Sequence, residues 1–318
     1  MNKDTAKNKA LVVGDLMLDE SIFGVASRLT PEGPVPVILK NNTEFTLGGA
    51  GFVAKVLSDL DINVTLCGVV GDDETSDILR SCCKEGKINS SGILNINGFK
   101  TSKKTRVYAS GHLVARLDDE TEYEMNDATR KKCLESIEGV LENQEYKVCI
   151  ISDYNKGFCD DGFIRRLIKL CSKYEVITLV DPKTEDVNKF IGADLIKPNN
   201  FEAAKILGVS KEHLPLPEEV VKQISSLLEI SNVLYTRGSK GMILLSGSKI
   251  KQIEAIQQEV FNVVGAGDTV LAGLCAGLIN GHDIEKSSLI ANDLAGEMVS
   301  KLSRKIKPSN SIKEKLST

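Results

Sequence analysis

No stretch of this 318-residue chain approaches the ~18 uninterrupted apolar residues that cross a bilayer, so the sequence predicts no membrane span. Its start, Met1 to Lys9, is polar and charged and lacks the apolar core of a secretory leader. An excess of positive charge is also missing. Forty Lys and Arg stand against 44 Asp and Glu, a net −4, which gives no electrostatic footprint for DNA or RNA. The eight cysteines form no C-x-x-C pair, and several sit inside apolar runs where a thiol behaves as a small hydrophobe. That argues against a disulfide framework or a zinc site and for a reducing, cytoplasmic setting. Two nucleotide fingerprints are missing as well. No G-x-G-x-x-G follows Leu11-Val12-Val13 and no G-x-x-x-x-G-K-[ST] occurs, which sets aside Rossmann oxidoreductases and P-loop kinases.

What the chain does have is a rhythm. Short apolar runs read as buried strands at Ala10 to Val13, Val64 to Val70, Val148 to Ile151, Val176 to Val180, Leu195-Ile196 and Val233 to Tyr235. Helix-like stretches lie between them at Gly51 to Leu60, Asp73 to Lys84, Asp127 to Leu141, Asp160 to Ser172, Phe201 to Leu207 and Pro217 to Leu228. This alternation predicts a parallel sheet covered on both faces by helices, an α/β fold.

Two segments break the rhythm. Residues 20–44 carry Pro31, Pro34 and Pro36 among β-type residues, and residues 93–118 read as short strands with turns near Asn97-Gly98 and Ser110-Gly111. Together they predict a small β-layer that closes over a substrate as a lid and excludes water. The basic run Lys103-Lys104-Thr105-Arg106 inside it reads as a solvated face. The tail beyond Pro308 reads as frayed.

Polar clusters follow five strand-like runs. They are Gly14-Asp15, Ser152 to Gly157, Asp181-Pro182-Lys183, Lys197-Pro198-Asn199 and Thr236-Arg237-Gly238. Open α/β sheets bind ligands beyond the carboxyl ends of their strands, so five such ends predict one shared cleft. The run Val263 to Thr269 then feeds the apolar stretch Val270 to Ile279. Small residues ahead of a helix leave bare N–H groups that, with the helix dipole, seat an oxyanion. A neighbouring carboxylate, Asp268, stands where an attacking hydroxyl would lose its proton, and an anion hole with a base is most of what phosphoryl transfer asks of a protein.

At this point the residues resemble the ribokinase-like (PfkB) carbohydrate kinases. Gly265 to Asp268 is similar to that family's C-terminal signature and Gly48-Gly49-Ala50 to its N-terminal one. Asn199 to Glu202 matches its N-x-x-E motif, and Thr236 to Gly241 its T-x-G-x-x-G loop. Within the family, four stretches most resemble the D-glycero-β-D-manno-heptose 7-phosphate kinases: Val13 to Asp19, Ser27 to Val37, Ser152 to Gly157 and Asp181 to Lys183, with Arg116-Leu117-Asp118 beside them. The similarity runs from about Leu11 to about Leu302.

The resemblance implies one kinase domain over residues 1–318, a three-layer α/β/α sandwich with a mostly parallel central sheet and the β-lid. It implies ATP and Mg²⁺ as cofactors, a sugar phosphate as partner and a homodimer paired through the lid. Asp268 would be the general base, and Gly265, Ala266 and Gly267 the anion hole. Asn199 and Glu202 would organise Mg²⁺ through water. Thr236, Gly238 and Gly241 would line the nucleotide phosphates, with Asn292 near the adenine. Asp15, Gly48, Gly49, Asp153, Lys156, Lys183 and Arg116 would fall on the sugar side. Some relatives carry a nucleotidyltransferase domain after the kinase. The 318 residues leave no room for it, so a nucleotide-sugar step is expected from another protein.

Four departures accompany the match. Phe52 stands where the family carries an Asn, and Ser110 to Leu113 where heptose kinases carry a polar Arg-Asn-Gln-Gln stretch. Asn262 replaces an Asp six residues before the base, which bears on potassium activation, and Ser303-Arg304 replace a Gly-Thr near the adenine end. The expected activity is ATP-dependent phosphorylation of the heptose 7-phosphate at O1. The alternatives are a family kinase of a different sugar or sugar phosphate, or a catalytically silent binder of nucleotide or sugar phosphate.

Overall fold

The computed structural model describes residues 9–121, 124–142, 145–184, 186–261, 263–300 and 308–317. The chain enters β1 (Lys9–Gly14), passes the single residue Asp15 into the long strands β2 (Leu16–Leu29) and β3 (Pro36–Gly49), and returns through α1 (Ala50–Asp59) to β4 (Asn63–Val70). It continues with α2 (Glu74–Glu85), β5 (Asn89–Asn95), the hairpin β6 (Ser102–Ala109) and β7 (His112–Asp119), and α3 (Asp127–Glu142). Then come β8 (Val148–Asp153), α4 (Asp161–Lys173), β9 (Ile177–Pro182), β10 (Leu195–Ile196), α5 (Asn200–Ile206) and α6 (Pro217–Leu228). The last part holds β11 (Asn232–Thr236), β12 (Met242–Ser246), β13 (Lys249–Ile253), α7 (Ala266–Ile279), α8 (Ile284–Val299) and α9 (Asn310–Ser317).

Nine strands form the large sheet in the order β13-β12-β11-β10-β9-β8-β1-β4-β5. Pairing is parallel from β5 to β11 and antiparallel only at β12 and β13. Strands buried on both faces need apolar residues at successive positions, and β1 meets that demand. Its Ala10 and Val12 join the core under α1, α2, α7, α8 and α9, while Leu11 and Val13 join the core under α3, α4, α5 and α6. The expected three-layer sandwich is the observed one.

The second sheet has the order β3-β2-β6-β7. Pro36 opens its edge strand β3, a place where a missing N–H costs no ladder bond. Ser110 and Gly111, with φ of 51° and 85°, make the two-residue turn of the β6–β7 hairpin. The sheet spans Leu16–Gly49 and Ser102–Asp119, so the expected bounds of 20–44 and 93–118 need correcting. Ile93 to Asn95 finish β5 against β4 of the large sheet instead. Alternation identified that segment as a strand but carried no information about which sheet it joins.

Helix starts are set by side-chain caps: Asp73 accepts from Ser76 N–H (2.8 Å), Asp160 from Phe163 N–H (2.7 Å) and Asp283 from Lys286 N–H (2.7 Å). Two expectations at the C-terminal side are corrected. α7 begins at Ala266 rather than Val270, so the glycine motif lies inside its first turn. Beyond Pro308, Asn310–Ser317 form α9, whose Ile312 and Leu316 are buried in the core with α8. All eight cysteines are free and all but Cys82 are buried. Among the described residues no helix is long and apolar enough to cross a membrane.

Candidate active site

The carboxyl ends of β9, β10 and β11, the residues just after β8, the first turn of α7 and the inner face of the small sheet enclose one cleft of about 1170 Å³. Asp268, in the first turn of α7, opens into it while only 7 % exposed. Gly265 caps this helix with φ 89°, a left-handed conformation that favours glycine. A Cβ there would also stand 2.5 Å from Phe52 Cε1, so the ring of Phe52 packs directly against the cap. The first amides of a helix have no partner within it, and here they face the cleft together with the positive end of the dipole. The amide of Ala266 is the exception: it folds back on the Val263 carbonyl at 3.2 Å.

The Asp268 carboxylate is not alone. Tyr154 Oη donates to both its oxygens at 3.0 Å, and Lys183 Nζ lies 3.2 Å from Oδ1. Lys183 also sits 3.3 Å from Asp181 Oδ2, and Lys197 Nζ lies 2.9 Å from Asp181 Oδ1. Burial pushes Asp181 upward, but the two ammonium groups outweigh it and hold the carboxyl below its ordinary range. The same pairings outweigh burial at Lys183 and Lys197 and raise both above the usual lysine value. Both lysines are therefore cations in this cleft.

Asn199 and Glu202 form a capping box at the start of α5. Asn199 Oδ1 accepts from Phe201 N–H (2.8 Å) and Glu202 N–H (3.1 Å), and Glu202 Oε2 accepts from Asn199 N–H (2.7 Å). Both still line the cleft. Burial, followed by the nearby Asp181 carboxylate, pushes Glu202 up to about 7. A hydrated divalent cation would relieve that charge while the capping bonds stay in place, so the donor set fits Mg²⁺ held through water. Thr236, Gly238 and Gly241 also line the cleft, as does Asn292, whose side-chain amide donates to the Glu254 carbonyl at 2.9 Å.

Among the residues expected on the sugar side the placement is mixed. Gly49, Lys156, Lys183 and Arg116 line the cleft, whereas Asp15, Gly48 and Asp153 do not. Asp15 accepts from the Tyr154 N–H (2.7 Å) and the Lys156 N–H (3.3 Å), tying the end of β1 to the loop after β8. Burial, and then the adjacent Asp153, push its carboxyl up to about 7. Asp153 is paired with the buried Lys189 at 2.7 Å. Asp15, Asp153 and Cys159 bring ligand atoms within 4.8 Å of one another, but the Lys189 ammonium already supplies their counter-charge. Gly48 has a steric role: a Cβ would stand 2.7 Å from Asp19 Oδ2.

Asp19, Lys104, Arg106 and Tyr154 line the cleft and were not singled out as site residues by the sequence. Arg106 pairs with Asp19 at 2.5 Å, and Lys104 with Asp118 at 3.1 Å and Glu120 at 3.0 Å. The reading of the basic run as a solvated face is corrected, since Lys104 and Arg106 share the inner face of β6. Their spacing of two was the available signal, because alternate residues of a strand share a face. Asp19 stood in the quoted Val13 to Asp19 stretch, four residues beyond the carboxylate that was singled out. Among the departures, Phe52 lines the cleft while Ser110 to Leu113 do not. Asn262, Ser303 and Arg304 lie outside the described residues.

Comparison with known proteins follows from this geometry. A family model described as pfkB family carbohydrate kinase matches residues 7–309. The bifunctional protein HldE of Helicobacter pylori (strain G27) is 36 % identical over 294 residues, covering 92 % of this chain and 63 % of that protein. HldE of Haemophilus influenzae (strain ATCC 51907 / DSM 11121 / KW20 / Rd) is 35 % identical over 295 residues, covering 92 % and 60 %. The chain thus spans about three fifths of the length of these relatives. Among solved structures, Arabidopsis thaliana ribokinase complexed with ribose and ATP superposes with a TM-score of 0.73 at 18 % identity, covering 99 % of this chain and 100 % of that one. Escherichia coli phosphofructokinase-2, in complex with substrates and products, gives 0.74 at 16 % identity, covering 97 % of each chain. At such identity the likeness is one of fold.

Proposed function

The chain belongs to the pfkB family of carbohydrate kinases, and from that premise we propose that it transfers the terminal phosphoryl group of ATP to O1 of D-glycero-β-D-manno-heptose 7-phosphate. One observation carries the reading. The Asp268 carboxylate and the helix-start residues share one cleft with four cations, Lys104, Arg106, Arg116 and Lys156, which pair with only three carboxylates, Asp19, Asp118 and Glu120, and so keep a net positive charge. The first arrangement suits phosphoryl transfer, and the second suits an acceptor that already bears a phosphate. The stretches that resemble the heptose 7-phosphate kinases, Ser27 to Val37 above all, support the heptose reading over other sugar phosphates.

In the transfer, the O1 hydroxyl gives its proton to Asp268 as its oxygen bonds to the γ-phosphorus. The bond to the ADP oxygen breaks, and the main-chain amides of Gly265 and Gly267 hold the charge that spreads over the equatorial oxygens. Mg²⁺, when bound, neutralises phosphate charge, and Asn199 and Glu202 would hold it through water. Lys183 and Lys197 stay protonated and balance the Asp181 and Asp268 carboxylates on the floor of the cleft. The small sheet, tied to the large one through Asp15 and Gly49, would close over the acceptor and keep water from the phosphoryl group. Its exposed apolar side chains, Leu29, Leu39, Leu113 and Leu117, would be covered by pairing with the same sheet of a second copy.

ADP release with a panel of sugars and sugar phosphates tests the substrate, with the phosphorylated position read by phosphorus NMR. Turnover with the heptose 7-phosphate is expected to exceed that with fructose 6-phosphate or ribose. The reverse order rejects the acceptor and keeps the family. Ligand binding by calorimetry with no ADP formed rejects transfer altogether. Asp268→Asn preserves shape and is expected to lower turnover by about 10²–10⁴-fold with ATP affinity nearly unchanged. Normal turnover in that variant removes Asp268 from the role of base.

A further inference from the structure

Two donors of different kinds hold the Asp268 carboxylate. Tyr154 Oη lies 3.0 Å from Oδ1 and 3.0 Å from Oδ2, whereas Lys183 Nζ lies 3.2 Å from Oδ1. A phenol has one proton, so equal spacing places it on the bisector of the carboxylate rather than beside one oxygen. The last torsion of an aspartate is broad and turns about the Cβ–Cγ bond, along which that bisector runs, so the shared phenol holds the carboxylate at its tip while the off-axis Lys183 contact at Oδ1 sets the torsion.

Tyr154 is itself held in place. Its own N–H donates to Asp15 at 2.7 Å, which pins its main chain to the end of β1. The Lys183 ammonium covers its ring at 3.5 Å from the centroid, and Lys183 is itself anchored by Asp181, 3.3 Å away. Burial, and then the Asp268 charge, push the phenol's pKa up, so it stays protonated and remains a donor. The donors on Asp268 are unequal, two at Oδ1 and one at Oδ2, which leaves Oδ2 the greater free lone-pair capacity.

We infer that Tyr154 is a positioning residue for phosphoryl transfer, holding the tip of the Asp268 carboxylate while Lys183 sets its plane, so that Oδ2 receives the proton of the attacking hydroxyl. The inference rests on the reading of Asp268 as the base. In the step, the acceptor's O–H bond breaks toward Oδ2, the new O–P bond forms, and the bond to the departing ADP oxygen breaks. Tyr154 keeps its own proton throughout.

The test is Tyr154→Phe, which removes one oxygen and leaves the ring beneath Lys183. It is assayed by ADP release with ATP and D-glycero-D-manno-heptose 7-phosphate, alone and combined with Asp268→Asn. Loss of a hydrogen bond to a charged group is expected to lower kcat about 10- to 100-fold, with KM for ATP and for the acceptor within about twofold. Because Tyr154 acts through Asp268, adding Tyr154→Phe to Asp268→Asn is expected to change turnover by less than about twofold. A phenol with only a structural role would lower turnover equally in both backgrounds. That result overturns the inference, as does a Tyr154→Phe enzyme with wild-type or faster kcat. Normal turnover of Asp268→Asn alone overturns the base assignment. A crippled Asp268→Asn beside an unaffected Tyr154→Phe overturns this inference and leaves the base in place.

Discussion

Replacing Gly265 with alanine tests the packing at the start of α7 without assuming any substrate. Two separate penalties meet at this residue. Its φ of 89° lies in the left-handed region, where a side chain costs about 1–2 kcal/mol. The added Cβ would also stand 2.5 Å from Phe52 Cε1, 3.0 Å from Cζ and 3.3 Å from Cδ1. Phe52 is packed in the core beneath α7, so relief requires displacing either the ring or the helix start. Overpacking of this kind costs about 1–3 kcal/mol, for a total of about 2–5 kcal/mol. The two parts are separable. Phe52→Leu removes the clashing edge of the ring and leaves the backbone strain, so Gly265→Ala in that background is expected to cost only about 1–2 kcal/mol. Equilibrium urea unfolding followed by far-ultraviolet circular dichroism measures all four proteins. An equal cost of Gly265→Ala in both backgrounds would refute the contact between ring and cap. A cost below about 0.5 kcal/mol in either would refute the left-handed cap itself.

Two further outcomes concern buried charge. Lys197→Met leaves Asp181 buried with only the more distant Lys183 as partner, and is expected to destabilise by about 3–5 kcal/mol. Adding Asp181→Asn should recover part of that loss, and a Lys197→Met protein as stable as wild type in the same urea assay would contradict the pairing. Asp15 is raised from 3.8 to about 7, so between those values the folded protein holds a proton that the unfolded chain releases. Its contribution is fully present below about pH 4 and is lost as the pH rises through about 7, by up to about 4 kcal/mol. Stability of Asp15→Asn relative to wild type should therefore improve between pH 5 and pH 8. Glu202, raised to about 7 in the same direction, leaves a residual slope in the variant. A difference between the two proteins that does not vary with pH would show that Asp15 is ionised normally.

Much of the fold was determined by local pattern. Leu11 to Val13, Val148 to Ile151 and the other apolar runs are fully buried strands because a parallel sheet covered on both faces demands such runs. The polar residues that follow them converge because parallel strands all end on the same side. Gly265 to Asp268 were legible for the same reason: a helix start has bare amides wherever it occurs. What the sequence could not decide were matters of direction between distant segments. Asp15 and Asp19 are both carboxylates near the end of β1, yet only Asp19 lines the cleft, because the chain crosses into β2 at Asp15 and turns that side chain inward onto the loop after β8. Lys104 and Arg106 read as a solvated pair until β6 is laid beside β2, which places Arg106 against Asp19. Ile93 to Asn95 were recognisable as strand, but pairing with β4 rather than β2 depends on partners far away in the chain. The grip of Tyr154 on Asp268 joins residues 114 positions apart, and no local spacing encodes it. Sequence determines what each segment presents; only the folded packing determines which presented groups meet.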